Sequence, residues 1–312
     1  MPTILISGGT GMIGTRLTQL LIDKGYEVII LTRDPQKHRE QNLVRISYAA
    51  WDVKKQYIDP EAIKKADHII HLAGEGIADK RWSEKRKQEI VDSRTKSSEL
   101  LVKALRETVN HVSSVTSASA IGWYGPDTIT SNDNGFREEA PANKDFLGET
   151  CRLWEASIQP VEELGKRLVK LRIGIVLSNK GGALAEFKKP LKGYVAAVLG
   201  DGQQVISWIH IDDLCRLYME SIENNNLHGS YNAVTPYPVT NEHLTLALAK
   251  EMRGNFYITV HVPAFVLKTM LGEMSIEVLK STTVSSHKMQ TAGFSFLYPA
   301  VEEALEQLIL SA

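Results

Sequence analysis

The chain has 312 residues, 43% of them hydrophobic, and balances 36 Lys and Arg against 37 Asp and Glu for a formal net charge of −1. Such a length and apolar content suit one large domain or two intimate lobes, and the charge balance argues against a general nucleic-acid binder. Two cysteines, Cys151 and Cys215, are too few for a disulfide framework. No apolar run reaches the roughly 18 residues a membrane span needs, and "PTILISGGTG" lacks a basic-then-apolar leader, so a cytoplasmic protein is expected.

"TILIS" (Thr3–Ser7) predicts a first strand. A helix follows in which Ile13, Leu17, Leu20 and Leu21 share a face and Gly25 is the terminator. Between them "ISGGTGMIG" sets Gly8, Gly11 and Gly14 in a G-x-x-G-x-x-G arrangement, with Thr10, Met12 and Ile13 in the same turn. Tight turning and close backbone approach let N–H groups at the helix start face a pyrophosphate. A glycine triplet alone is weak; the flanking strand and helix supply the context of a dinucleotide site.

"EVIILT" (Glu27–Thr32) reads as a second strand, apolar on both faces as buried parallel strands are. It runs into Arg33, nineteen residues after Gly14. An acidic residue there would accept bonds from a ribose diol, whereas a cation favours a 2′-phosphate. Thr32 and Arg33 therefore point to NADP(H), although Asp34 follows immediately and Arg33 as a solvated loop charge is the plainer alternative. Asp52 and Val53, after a third strand, are placed to meet the adenine edge or to lie at the surface.

A fourth strand falls in "ADHIIHLAG" around Ile69–Leu72. The charged segment Ser83–Thr108 has Ile90, Leu100, Leu101, Ala104 and Leu105 among its apolar positions, and its first part, "SEKRKQEIVDSRTKSSE", mixes signs as a solvated helix face does. "HVSSVTSASAIG" is a fifth strand and "RLVKLRIGIVLS" (Arg167–Ser178) a sixth. Strands separated by helices imply right-handed crossovers and parallel pairing, so the expected class is α/β, a Rossmann-type doubly wound parallel sheet. The polar stretch Gly125–Asp145 reads as a long mobile loop. Glycines at 181, 182, 200 and 202 then break the rhythm. We expect a dinucleotide-binding domain over 1–178, with 205–235 returning to it, and a smaller C-terminal substrate lobe over 179–204 and 236–312. Lys188, Lys189 and Lys192 are candidates to meet a phosphate-bearing substrate; Phe187, Tyr194, Trp208 and Trp123 line an apolar pocket or fill the core. The nine histidines show no metal-ligand spacing, and no metal is expected.

Through "SGGTGMIG", "HLAGEGIADKRW", "SRTKSSELLVKAL", "SASAIGWYG", "RIGIVLS", "SWIHIDDL" and "YNAVTPYPVTNEHL" the chain resembles the extended short-chain dehydrogenase/reductase superfamily. It is most similar to the atypical epimerase-family branch, and the tail from "HVPAFVLK" to "SFLYPAVEEALEQLI" resembles that branch's small C-terminal domain, here 262–311. The resemblance implies that Leu72, Ala73, Gly74 and Glu75 pass along the cofactor and that Ile175 and Val176 lie near the nicotinamide end. It implies that Arg81 approaches a cofactor phosphate or a substrate anion, with a solvated charge as the alternative. Ser119 would bond the reacting oxygen, with Ser117 taking its place if the register slips. Tyr124 would lie near substrate, and Arg94 stands where an asparagine helps a water-linked proton relay. "SWIHIDDL" would close the site; within it His210 and Asp212 are candidates to cap the following helix, with Asp212 favoured.

Ordinary members carry Tyr-x-x-x-Lys at the start of the helix that here begins in "NKDFLGETCRLWEAS". The lysine lowers the tyrosine pKa so that the phenol exchanges a proton with the substrate oxygen. Aligned through Glu155, the two positions hold Leu147 and Cys151. Leucine transfers no proton, and a neutral thiol does not replace a fixed cation. Substitute donors are Tyr124, Cys151 (whose bland reading is a small buried hydrophobe) and a water held by Ser119 and Arg94. The resemblance implies an NADP(H)-dependent oxidoreductase or nucleotide-sugar epimerase with a small-molecule substrate and no nucleic-acid or membrane partner; a homodimer is compatible. The alternative is an NADPH-sensing regulatory protein of the cell-division-inhibitor type, with little or no catalysis.

Overall fold

The computed structural model describes residues 1–38 and 44–310. In chain order come β1 (Thr3–Ser7), α1 (Met12–Asp23), β2 (Glu27–Thr32), β3 (Ile46–Asp52), β4 (Tyr57–Ile58), α2 (Pro60–Lys65), β5 (His68–His71), α3 (Glu84–Glu107) and β6 (Ser114–Ala120). Then follow α4 (Ile129–Asn134), α5 (Phe146–Ile158), β7 (Arg167–Ile173), β8 (Ile175–Leu177), α6 (Ala183–Leu191), β9 (Val195–Leu199), β10 (Val205–Ile206), β11 (Trp208–His210), α7 (Ile211–Glu223) and β12 (Gly229–Ala233). The chain ends with β13 (Val239–Thr240), α8 (Asn241–Arg253), β14 (Ile258–Val262), α9 (Ala264–Leu271), α10 (Ser275–Leu279), α11 (His287–Thr291) and α12 (Val301–Leu310).

Eight strands share one sheet in the order β12-β7-β6-β5-β1-β2-β3-β4, parallel except for the short β3–β4 pair. The order reverses at β1, between β2 and β5, which is the Rossmann-type doubly wound arrangement; ligands bind outside the carboxyl ends of strands at such a switch point. Helices cover both faces, so β1 and β2 are buried almost throughout. In α1 the buried residues are Gly14, Leu17, Thr18 and Leu21, an i, i+3, i+4, i+7 stripe. The stripe is rotated from the expected one because small Gly14 and Thr18 let the helix come close, leaving Ile13 and Leu20 half-buried.

Three expectations are corrected. The stretch Arg167–Ser178 is two strands, since the chain leaves the main sheet at Gly174 and β8 pairs with β11 instead. A Cβ at Gly174 would stand 2.6 Å from the Ser207 carbonyl oxygen, so only glycine permits that crossing. The polar segment 125–145 is not a free loop: it contains α4, and Asp127 N donates to Ser281 O (3.0 Å) and Phe136 N to Thr283 O (2.7 Å). Its polar residues serve bonds to a partner segment some 150 residues away. Finally, His210 rather than Asp212 caps α7, its Nδ1 accepting from Asp212 N at 3.1 Å. Asp212 lies inside the first turn and takes Arg16 in a two-pronged pair at 2.6 and 2.9 Å. Among the described residues no helix is long and apolar enough to cross a membrane.

Candidate functional site

The loop between β1 and α1 is built so that only glycine fits at its two ends. Gly8 has φ +72°, and a Cβ there would stand 2.9 Å from the Leu72 carbonyl carbon. A Cβ on Gly14 would come 2.4 Å from Gly8 O and 2.5 Å from Gly9 Cα. Gly11 N closes the turn onto Gly8 O at 3.0 Å. Gly11 is also the N-cap of α1 and brings no side-chain cap. The first-turn N–H groups, those of Met12 and Ile13 among them, are thus left for a phosphate. Thr10 is exposed at the tip.

His71 anchors the loop from below. Its Nδ1 meets Ser7 Oγ at 2.6 Å, and its Nε2 meets Ser97 Oγ and Ser98 Oγ, each at 3.2 Å. Burial pushes the imidazole down to about 4, so it is neutral in the folded protein at pH 7. The unfolded chain takes up this proton below about 6.5, and the folded one does so only near 4. The stabilisation is therefore complete above about 6.5 and lost as pH falls toward 4, by about 3 kcal/mol. His71→Gln should flatten the decline of urea-unfolding stability between pH 6.5 and 4; an unchanged slope would show that this histidine does not set it.

At the other end of the cradle Arg33 is exposed and makes no ion pair among the described residues, while Thr32 Oγ1 accepts from Asp34 N at 3.4 Å. Asp52 turns to its own hairpin, with Oδ1 accepting from Lys54 N (2.9 Å) and Lys55 N (3.2 Å), and Val53 packs against the core. Leaving β5, Leu72 and Ala73 pack into the two core clusters and Gly74 lies under Arg94. Glu75 is bound by Arg86, a buried cation hidden within the apparently solvated α3. Arg81 is exposed and lies against Gly272 of the C-terminal segment.

Beyond the carboxyl ends of β6 and β7 is a cavity of about 340 Å³. One face of α5 forms a wall through Leu147, Thr150, Cys151 and Trp154; Ile175, Phe187, Glu277 and Lys280 face them from other elements. Val176 and Gly182 follow, and a Cβ on Gly182 would meet Met12 at 3.4 Å, so the cavity and the phosphate loop adjoin. Arg94 also lines it: Nη1 donates to Ile90 O (3.1 Å), Nη2 to Glu75 O (3.0 Å), and the guanidinium sits 5.1 Å from the Trp154 ring centroid. Burial pushes the Cys151 thiol up to about 12, with Glu155 adding to the effect and Arg94 opposing it, so the sulfur stays protonated.

Ser119 and Tyr124 are not in that wall. Ser119 Oγ donates to Glu155 Oε1 at 2.7 Å, and Arg172 grips the same carboxylate through Nε (2.8 Å) and Nη2 (3.1 Å). Tyr124 donates to Asn232 Oδ1 at 2.7 Å and accepts from Arg172 Nη1 at 3.0 Å. Burial pushes its phenol up to about 12. Ser117 is buried too, its Oγ donating to Ala118 O at 3.0 Å. The structure thus brings Arg94 and Cys151 together at the cavity and places Ser119 and Tyr124 in a separate buried network. Of the four candidate aromatics only Phe187 lines the cavity. Trp208 is core, Trp123 covers Arg172 at 3.7 Å, and Tyr194 lies under Arg253. Lys188, Lys189 and Lys192 are outside it, and Lys189 pairs with Glu186. Trp154 could have been found as the next turn of the Leu147–Cys151 stripe; Glu277 and Lys280 had no local signal. Among the described residues no cluster of three His, Cys, Asp or Glu is arranged to hold a metal.

A doubly wound sheet with a glycine cradle at its switch point and a cavity at the strand ends defines a dinucleotide-binding protein of the short-chain dehydrogenase/reductase type. Residues 4–146 match the NAD dependent epimerase/dehydratase family, and residues 262–308 match a domain of unknown function, DUF1731. An epimerase family protein of Staphylococcus aureus is 34% identical over 309 residues, covering 99% of each chain. The crystal structure of the human epimerase family protein SDR39U1 (isoform 2) with NADPH superposes with a TM-score of 0.86 at 26% identity, over 99% of this chain and 100% of that one. A nucleoside-diphosphate sugar epimerase of Corynebacterium glutamicum superposes with a TM-score of 0.77 at 29% identity, over 99% of this chain and 59% of that one. The chain belongs to the epimerase family, in its atypical short-chain dehydrogenase/reductase branch.

Proposed function

We propose that the protein is an NADP(H)-dependent oxidoreductase of the cytoplasm, acting on a small molecule held in the cavity beside Arg94. The observation that carries this reading is the open cradle at α1 facing an exposed Arg33 that no carboxylate answers among the described residues. Residues 1–178 and 205–235 bind the dinucleotide, and 179–204 with 236–312 enclose the substrate. The α1 N–H groups meet the pyrophosphate, Thr32 and Arg33 meet the 2′-phosphate, and Ile175 and Val176 back the nicotinamide end. When bound, the nicotinamide supplies or accepts a hydride.

The dyad positions are Leu147 and Cys151, so the proton reaches the substrate oxygen from a water, with Arg94 supplying the fixed positive charge. General acid–base catalysis is worth about 10²–10⁴-fold, so turnover is slow rather than absent. NADPH should bind more tightly than NADH, by roughly tenfold or more for a charge-assisted phosphate contact, and Arg33→Ala should erase the difference; equal wild-type affinities in calorimetry defeat the NADP assignment. The apolar pair at the dyad positions favours one other reading, an NADPH-responsive regulator. Sustained turnover of any carbonyl substrate, read by nicotinamide absorbance and by product stereochemistry, excludes it.

A further inference from the structure

Trp154 lines the cavity and is 5% exposed; its indole Nε1–H is fully buried and has no hydrogen-bond partner among the described residues. Arg94 stacks on that same indole. It directs N–H groups to two backbone carbonyls, and no carboxylate lies within ion-pair distance among the described residues; Glu75, its acidic neighbour, is bound by Arg86 instead. The other cation of the cavity, Lys280, is answered by Glu277 at 2.8 Å and by Asp145 at 3.8 Å. Other polar groups of the wall are bonded within the protein: Thr150 Oγ1 donates to Phe146 O (2.6 Å), Gln204 Nε2 to Leu199 O (3.0 Å), Ser207 Oγ to Thr282 O (2.9 Å) and Thr282 Oγ1 to Gly125 O (3.2 Å), and Asn241 Oδ1 accepts from Leu199 N (2.9 Å). Much of the rest of the wall is apolar, with Ile121, Leu147, Ile173, Phe187 and Ile206 prominent.

We infer that the cavity takes a small apolar carboxylic acid, its carboxylate met by the Arg94 guanidinium, and not a nucleotide sugar. A nucleotide sugar presents two phosphates and many hydroxyls, each needing a partner when buried. This cavity offers one cation that no carboxylate answers among the described residues, at a volume near the low end of the about 300–1,000 Å³ usual for ligand sites. An aromatic or aliphatic body fits the hydrocarbon wall, and a single anionic end answers Arg94. The inference rests on the cavity being the substrate pocket.

The test uses the full chain saturated with NADP⁺ and three probes: trans-cinnamate, cinnamamide and UDP-glucose. Binding is read by calorimetry and by the indole ¹⁵N–¹H resonance of Trp154, assigned from its loss in Trp154→Phe. Cinnamate should shift that resonance and bind at least about tenfold more tightly than its amide, and Arg94→Gln should remove the preference for acid over amide. Equal binding of acid and amide to the wild-type protein, or an unmoved Trp154 resonance under cinnamate, overturns the inference without any variant having to fold. UDP-glucose binding that moves the Trp154 resonance overturns it as well. Titration with NADP⁺ alone separates the two levels: no dinucleotide binding sinks the proposed function, whereas dinucleotide binding without cinnamate binding sinks only the substrate class.

Discussion

Gly14→Ala should weaken NADPH binding by roughly a hundredfold or more, a loss of about 3 kcal/mol. The added methyl would stand 2.4 Å from Gly8 O and 2.5 Å from Gly9 Cα, and both are backbone atoms with no flexible end to swing aside. Relief requires α1 to slide away from the turn, which moves the N–H groups of Met12 and Ile13 off the pyrophosphate they would meet. The neighbouring wall offers no room either, since Gly8 already rests on the backbone leaving β5. Gly193→Ala is the control: a Cβ there comes no nearer than 3.5 Å to Pro190 O, and the residue is remote from the cradle. Fluorescence titration of NADPH reads both variants. Wild-type affinity in Gly14→Ala would remove the β1–α1 turn as the phosphate site.

The second large effect is on stability. Glu155 is 6% exposed and Arg172 3%, and the carboxylate accepts from Ser119, Arg172 and Ser230. Glu155→Ala leaves the guanidinium buried without its counter-charge, and cutting a buried pair on one side costs about 3–5 kcal/mol. Replacing both partners with hydrocarbon of similar shape costs far less. In urea unfolding, Glu155→Leu combined with Arg172→Met should therefore be more stable than Glu155→Ala alone. A double variant weaker than the single one would mean that the hydrogen bonds to Ser119, Tyr124 and Ser230, rather than the charge balance, dominate this cluster.

That cluster also marks where the amino-acid sequence stops being legible. The doubly wound class of the sheet and the glycine turn follow from local signals: β-branched runs alternating with helices and three glycines at fixed spacing. Ser119 and Tyr124 could be placed on the chain but not oriented, because which way a strand-end serine points depends on partners such as Glu155 and Asn232, 36 and 108 residues away. The exposed-looking α3 concealed buried Arg86, whose partner Glu75 lies outside the helix. The segment 125–145 read as free chain since its hydrogen-bond partners, Ser281 and Thr283, come from the far end of the protein. Leu147 and Cys151, by contrast, are singled out by the family's Tyr-x-x-x-Lys motif aligned through Glu155, and an i, i+4 pair does share the face that lines the cavity.

Glu277 and Lys280 lie in the same C-terminal stretch that fastens residues 125–145, so one late segment both walls the cavity and clamps its flank. During synthesis the eight-stranded sheet has every strand except β12 once residue 173 has been made, and N-terminal units fold first. The cavity, however, is walled only after residues 277–283 have also been made. A chain stalled between the two would carry the glycine turn beside an open trough.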